Sequence, residues 1–394
     1  MTTSRDTKAA NGYDLIVVGG GVIGLSIGWR AAQQSLRTLV LEAERPARGA
    51  THAAAGMLAP VTEASYGEER LLALNLEAAR RYPDFVAELE LEAGAETGYR
   101  PSGTLAVAPD RDDAELLKRL HQFQVSLGLD AEWLSGRECR RLEPGLAPRI
   151  VAGIRSSLDH QVVPRALASA LVVALERAGG ELRGEARVAS LMIESERVTG
   201  VALESGEALL ADRVVVAAGW QSSELGGLAE HTRVPVRPVK GQILRLRGEP
   251  SAPIAQRVVR TPEVYVVPRD DGGVIVGATI EERGADTAVT AGGVLELLRS
   301  AYAVLPGIAE LELVEATAGL RPAAPDNLPI VGPGALSGLV WATAHWRNGI
   351  LLAPITADAV VHLLTGGGLP ELFEPVAPAR FAPRAPVLQE EAAR

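Results

Sequence analysis

The chain has 394 residues, 47% apolar and 22% charged, which suits a large buried core in two domains or one composite. Its net charge of −10 argues against nucleic-acid binding, although a local basic site for an acidic substrate remains compatible with it. Cys139 is the single cysteine, so neither an internal disulfide nor a thiolate cluster for zinc or iron–sulfur can be built.

The polar opening MTTSRDTKAANG has no apolar h-region, and no run of about 18 apolar residues appears anywhere. The expectation is a soluble cytoplasmic protein without a membrane partner. Residues 13–19 form a continuous apolar, β-rich run, which predicts a strand buried on both faces. A helix to about residue 34 and a strand over 38–42 follow, giving a β-α-β unit at the start of the chain. The small-residue run GATHAAAGMLAP comes next, then helical spacing at Leu71, Leu74, Ala78, Tyr82, Phe85 and Leu89, with Pro83 as an expected kink. A strand over 103–108 is predicted, then a helix to Leu127 that Asp112 caps, and a capping box at Ser135 and Glu138. Pro164 suits the first turn of a helix ending at Gly179 and Gly180. Short strands are expected over 187–194, 197–204, 208–210 and 213–217. A second sheet is expected from strands over 241–247 and 264–268, a hairpin turn over 270–273 and a return over 274–278. A helix over 291–304, strands over 312–320 and 339–343, and a last helix over 349–364 complete the pattern. The tail from about Pro375 is expected to lie loosely on the surface.

Four segments carry chemistry. Gly19-x-Gly21-x-x-Gly24 follows a buried strand and opens a helix, and Glu42 ends the next strand 18 residues after Gly24. Such spacing lets a pyrophosphate approach the helix N-terminus while the carboxylate holds a ribose hydroxyl; the alternative is a structural turn. This fingerprint does not separate a nicotinamide from a flavin. GATHAAAGMLAP offers small residues against which a bulky ring can lie, or else an Ala-rich surface loop. A late buried strand ends at Gly219, near the nucleotide or merely in the core. Finally, AHWRNGILLAP (344–354) places Arg347 at the start of an apolar helix with no acid in its first turn. A helix N-terminus and a guanidinium together ask for a negative charge.

With AAAGML (53–58), VYVVP (264–268), GLRP (319–322) and HWRNGILLAP in this order over about residues 12–370, the sequence resembles the FAD-dependent amine and amino-acid oxidases of the D-amino-acid oxidase family, in particular its glycine oxidase type of the thiamine pathway. The resemblance implies an α/β (α+β composite) fold: a Rossmann-like FAD-binding domain of residues 11–90, 160–235 and 316–375, a mainly antiparallel-sheet substrate domain of 91–159 and 236–315, and a loose tail of 376–394. It implies that FAD lies against Gly19, Gly21, Val22, Ile23, Gly24, Glu42, Ala43, Thr51, Ala55, Gly56, Met57, Val188, Gly219, His345, Asn348, Gly349, Ile350 and Leu351. The main-chain N–H groups at 349–351 would stabilise charge near the flavin N1 and C2 oxygen.

The same resemblance gives Arg321 a two-pronged pair with a substrate carboxylate, Tyr265 a hydroxyl on the same group, Arg347 a secondary contact and Met57 a place over the ring. The implied reaction passes hydride from a small amine such as glycine to flavin N5, with oxygen reduced to hydrogen peroxide and the imine hydrolysed to glyoxylate and ammonia. Related sarcosine oxidases attach flavin through a cysteine close to the position of Gly319; none stands there, so a non-covalent cofactor is expected. The implied partners are a small amino acid, oxygen and a thiazole synthase, with the oligomeric state open. A quinone-linked dehydrogenase, a non-catalytic FAD-binding protein and a nicotinamide dehydrogenase are the rival readings. Glycine, sarcosine and D-amino acids are not separated. His52 either crowds the cofactor or points outward, and Lys240 in PVKGQ serves the site or the surface. Ile280 is a weaker candidate for narrowing the pocket.

Overall fold

A computed structural model describes residues 12–382. Residues 1–11 and the tail beyond residue 382 lie outside the described residues. The continuous apolar run at the start forms β1 (Tyr13–Val18), which pairs in parallel with β2 (Thr38–Leu41). Helix α1 (Val22–Gln33) makes the crossover between them. The sheet continues through β8 (Glu181–Arg183), β11 (Ala208–Val216), β17 (Ile330–Pro333) and β18 (Leu339–Thr343), in the order β17-β18-β11-β1-β2-β8.

Four helices, α1, α3 (Glu69–Ala93), α6 (Pro164–Arg177) and α8 (Gly349–Leu364), cover one face and bury Leu15, Val17, Leu25, Leu74, Leu171 and Ile355 together. Strands β9 (Val188–Glu194) and β10 (Arg197–Leu203) extend antiparallel from β11, and Leu191 and Val201 join Ile16, Val216 and Trp341 on the opposite face. Burial on both faces explains the continuous apolar runs of β1, β2 and β18.

The second sheet contains β4 (Thr104–Ala108), β5 (Glu132–Ser135), β6 (Ala152–Ser156), β12 (Arg237–Arg247), β13 (Val258–Arg260), β14 (Tyr265–Pro268), β15 (Gly273–Gly277) and β16 (Glu312–Ala323). Its order is β16-β12-β15-β14-β13-β4-β6-β5, antiparallel except between β13 and β4. One face packs Leu244, Leu246, Val266 and Val276 under α7 (Ala291–Val304) through Leu297 and Val304. The other face turns Ile243, Val267 and Ile275 toward Ala55 and Met57. Helices α4 (Arg111–Ser126) and α5 (Gly136–Leu142) flank the far end. The segment between the two sheets holds α2 (Ala50–Ala53) and the pair β3 (Met57–Leu58) with β7 (His160–Gln161).

Several expectations change in detail. Asp110, not Asp112, caps α4, accepting from the N–H groups of Asp112 and Asp113; an acceptor must precede the free N–H groups it serves. The capping box at Ser135 and Glu138 is present. Helix α3 runs on through Pro83, with Tyr82 and Phe85 both in the core. Where two strands over 208–210 and 213–217 were expected, β11 runs unbroken from Ala208 to Val216, because its first half pairs with β10 and its second with β1 and β18. Strand β16 stays in the second sheet to Ala323, past the boundary expected at residue 316, because its register with β12 continues to Arg237. Residues 376–382 are not loose: Val376 is fully buried and Arg380 bonds to Asp326 and the Leu328 carbonyl.

Candidate functional site

The C-terminal ends of β1, β2, β11 and β18 open on one edge of the parallel sheet, where ligands of α/β folds bind. Gly19 leaves β1 at φ +112°, and a Cβ there would stand 2.7 Å from the Ala217 carbonyl carbon. Only glycine suits both the dihedral and the close approach. Gly21 starts α1 without a side-chain cap, and a Cβ on Gly24 would meet the Gly19 carbonyl. Val22 and Ile23 are buried in the first turn, and the Val22 N–H donates to Thr51 Oγ1 at 3.0 Å.

Glu42 leaves β2 with its carboxylate accepting from the N–H groups of Gly20 (2.8 Å) and Glu44 (3.1 Å), which brackets half-buried Ala43. The Glu42 carbonyl accepts from the Ala186 N–H, two residues ahead of Val188 at the start of β9. Gly219 follows β11, its carbonyl accepting from Thr343 Oγ1 at the end of β18 (2.8 Å).

The small-residue segment lies between the two sheets. A Cβ at Gly56 would come 2.7 Å from Pro164 Cδ. Three arginines from separate elements grip its main chain: Arg165 Nε donates to the His52 carbonyl (3.2 Å), Arg245 Nη2 to the same oxygen (2.9 Å), and Arg269 Nη2 to the Ala55 carbonyl. Burial lowers both Arg245 and Arg269 to about 10. Glu315 balances Arg165 and Arg245, and its hydrogen bonds to Arg165 hold its carboxyl below the usual range. The His52 ring stands 3.9 Å from Glu315, so it points into this ionic cluster. Burial and Arg165 lower its pKa.

Facing that segment, the second sheet presents a surface cleared by glycines. Gly241 and Gly319 are cross-strand partners on β12 and β16, two positions from Arg321. The Arg321 guanidinium lies across Gly241, where a Cβ would come within 2.6 Å of Cζ. A Cβ on Gly319 would stand 2.5 Å from Ala53 Cβ. Tyr265 lies over Gly277 in the same way, and Met57 packs beside it. Arg321 Nη1 donates to the carbonyls of Thr279 (3.1 Å) and Lys240 (3.5 Å), and Cζ is 6.0 Å from the Trp346 ring centre. Among the described residues no carboxylate pairs with Arg321. Burial raises the Tyr265 hydroxyl above its ordinary range, with Arg321 opposing. Ile280, just beyond β15, is largely exposed.

The 344–351 segment is stapled to the end of β16 by a bridge between Ala323 and His345 and by the Trp346 N–H donating to the Pro322 carbonyl. Ala344 and Trp346 hold φ of +56° and +49°, a conformation that persists in non-glycine residues only where surrounding contacts impose it. His345 is buried against Thr356 Oγ1 (3.1 Å), and burial lowers it to about 3, so it is neutral at pH 7. Asn348 precedes α8, which opens at Gly349, Ile350 and Leu351 without a side-chain cap; the Asn348 Oδ1 atom is buried with no partner.

Arg347 was expected to face the substrate, but its guanidinium is committed elsewhere. It pairs with Glu68, donates to the Glu63 carbonyl (3.3 Å) and lies 3.6 Å from Glu63 Oε2. The negative charge missing from the helix start arrives from distant sequence. Burial also raises Asp159, to about 6, while it accepts from the N–H groups of Val61 and Thr62 and orders the same segment.

Sequence reasoning missed Gly20, Glu63, Glu68, Gly241, Gly277 and the three carbonyl-gripping arginines. Of these, Gly241 and Gly277 left a readable trace, as glycines in otherwise strand-forming runs. Lys240 is fully buried, its ammonium 2.7 Å from Asp286, which removes the surface reading. Among the described residues no acid, His or Cys cluster could hold a metal, and no helix is long and apolar enough to cross a membrane.

The chain matches the FAD dependent oxidoreductase (DAO) family over residues 14–363. The bifunctional protein ThiO/ThiG of Trichormus variabilis is 36% identical over 354 residues, covering 89% of this chain and 52% of that protein. The chain thus spans about half the length of these bifunctional relatives. Glycine oxidase of Geobacillus kaustophilus is 34% identical over 356 residues, 89% of this chain and 93% of that one. The crystal structure of glycine oxidase from the same organism superposes with a TM-score of 0.86 over 95% of this chain and 99% of the other, at 32% identity.

Proposed function

Because the chain belongs to the DAO family of FAD-dependent oxidoreductases, we propose that it oxidises glycine and closely related small amino acids, with oxygen as electron acceptor. The observation that carries this reading is Arg321: a half-buried guanidinium beside Tyr265, anchored on one nitrogen by two carbonyls and without a carboxylate partner among the described residues. A planar, anchored guanidinium suits a two-pronged pair with a carboxylate. The named activity of the glycine oxidase relative supports the same reading.

The residues present fit FAD. Gly19, Gly21, Gly24, Val22 and Ile23 would meet its pyrophosphate at a helix start whose N-cap residue, Gly21, has no side-chain acceptor and whose Val22 N–H is shared with Thr51; Glu42, Ala43 and Val188 the adenosine end; Thr51, Ala55, Gly56, Met57 and Gly219 the middle and ring. His345, Asn348, Gly349, Ile350 and Leu351 would border the ring at a second uncapped helix start, where Asn348 Oδ1 is an open acceptor. Bound FAD supplies the two-electron oxidation of the substrate's carbon–nitrogen bond. The chain's own contribution is orientation. Arg321 and Tyr265 fix the carboxylate, Met57 and the Ala53–Gly319 contact limit the space beyond, and neutral His345 adds no charge.

Overall, glycine, oxygen and water would give glyoxylate, ammonia and hydrogen peroxide, the imine being hydrolysed after release. The imine's alternative consumer would be a thiazole-forming enzyme; the second half of the bifunctional relatives motivates that partnership. No FAD attachment through a side chain is proposed, since Gly319 offers none. The test is a substrate panel of glycine, sarcosine and D-alanine read by hydrogen peroxide, with anaerobic bleaching of the flavin by glycine. Bleaching without peroxide on aeration would assign a different electron acceptor. A flavin that no member of the panel reduces would remove the proposal.

A further inference from the structure

The motif PVKGQ (238–242) in β12 is not used by the reading above, yet its last three residues converge on Arg321. Alternation along the strand puts Gly241 on the glycine-cleared face and Lys240 and Gln242 on the other. Both Lys240 and Gln242 are buried. Each holds the segment that leaves β15. The Lys240 ammonium pairs with Asp286 (2.7 Å) and lies 3.8 Å from Glu281. Main-chain bonds join Lys240 and Glu281 in both directions at 3.0 Å. The Gln242 side chain donates to Glu281 Oε1 (2.7 Å) and accepts from the Thr290 N–H (2.8 Å), and its main-chain N–H donates to Thr279 Oγ1 (2.8 Å). Thr279 Oγ1 in turn donates to Glu281.

These bonds fix the carbonyls of Thr279 and Lys240, the two acceptors that hold Arg321 Nη1. Gly241 sets the floor: the guanidinium occupies the space a side chain there would fill. An arginine has several rotatable bonds, and an unanchored one spreads over many rotamers that a carboxylate must then order.

We propose that Lys240, Gly241 and Gln242 are positioning residues that set the reach and angle of Arg321, and through it the selection of carboxylate-bearing substrates. The inference rests on the carboxylate role of Arg321 and deepens it. Gly241→Ala is the sharpest test, because the atoms in its way are the far end of a flexible side chain, so the guanidinium shifts and the fold stays. Asp286→Asn is the second variant; Asp286 is partly exposed, and the change removes the ion pair without opening the core.

Acetate affinity of the FAD-loaded enzyme is measured by flavin absorbance and as a competitive inhibition constant against glycine, with Arg321→Met as reference. The expected result is acetate binding about tenfold or more weaker in Gly241→Ala and a few-fold weaker in Asp286→Asn. KM for glycine should rise in parallel, kcat should change less and FAD content should stay at the wild-type value; Tm should stay so in Gly241→Ala and fall in Asp286→Asn, which leaves the buried Lys240 ammonium with Glu281 alone. A merely structural role would lower Tm and leave the acetate constant of the folded enzyme in place. If Arg321→Met itself binds acetate normally, the carboxylate role of Arg321 fails. If Arg321→Met loses acetate while either variant keeps wild-type affinity, the positioning inference is overturned.

Discussion

Replacing Arg321 with methionine keeps the length of the side chain and removes its charge. In the structure Nη1 is occupied by the carbonyls of Thr279 and Lys240, so Nε and Nη2 are the donors left for an incoming carboxylate. Two hydrogen bonds to a charged group contribute about 1.5–3 kcal/mol each. The site is half-buried, so the lower part of that range applies, and a loss of about 3–4 kcal/mol is expected. At about 1.4 kcal/mol per factor of ten, kcat/KM for glycine should fall on the order of 10²–10³. FAD content should stay normal, because Arg321 touches Lys240, Thr279 and Gly241 and none of the residues at the nucleotide edge. The assay is steady-state peroxide production with glycine and with a primary amine that lacks a carboxylate, alongside acetate titration. Arg347→Met is the comparison. Its charge is committed to Glu63 and Glu68, so its loss should appear mainly as lower stability, with acetate affinity little changed. If Arg321→Met slowed both substrates equally, or left glycine oxidation intact, the reasoning would be refuted.

Glu42→Ala should weaken FAD retention about tenfold or more by releasing the Gly20 and Glu44 N–H groups, while fully loaded enzyme keeps its rate of anaerobic reduction; FAD titration of the apoprotein and stopped-flow reduction check both parts. Acid precipitation should release intact FAD into the supernatant, since Gly319 faces Ala53 and offers no point of attachment; a yellow pellet would refute this. His345 titrates at about 3 when folded and near 6.5 when unfolded, so the unfolded chain binds more protons in that window and stability is lost as pH falls through it. Between pH 7.5 and 5.5 the loss should be about 1.4 kcal/mol, read as the difference between wild type and His345→Gln in chemical denaturation. Asp159, raised to about 6, acts in the opposite sense and is common to both proteins, so the difference isolates His345.

The elements that the sequence made legible are those whose stability is local. The first β-α-β unit, α6 behind Pro164, the hairpin at 270–273, α7 and α8 all carry their own periodicity or turn chemistry. Short strands such as β8, β13 and β17 were not legible, because they hold together only through the neighbours they pair with. The same division runs through the candidate site. Gly19, Gly24 and Glu42 stand out in sequence because a strand, a turn and a helix start lie within one short stretch. The roles proposed for Arg321 and Tyr265 rest on resemblance, and what leaves Arg321 without a carboxylate partner among the described residues is a tertiary fact.

By itself, the sequence determined the nucleotide-type loop, the buried parallel strands and the uncapped start of α8, since each depends on neighbouring residues and a fixed period. Only the tertiary structure decided which charges are spent and which are free. Arg347 is neutralised by acids 279 and 284 positions away in the chain, and Lys240 by one 46 positions away. Arg321 is held instead by carbonyls and keeps its charge available among the described residues. Ion pairing depends on distance in space, and a chain folded into two sheets brings together charges that no sequence window contains.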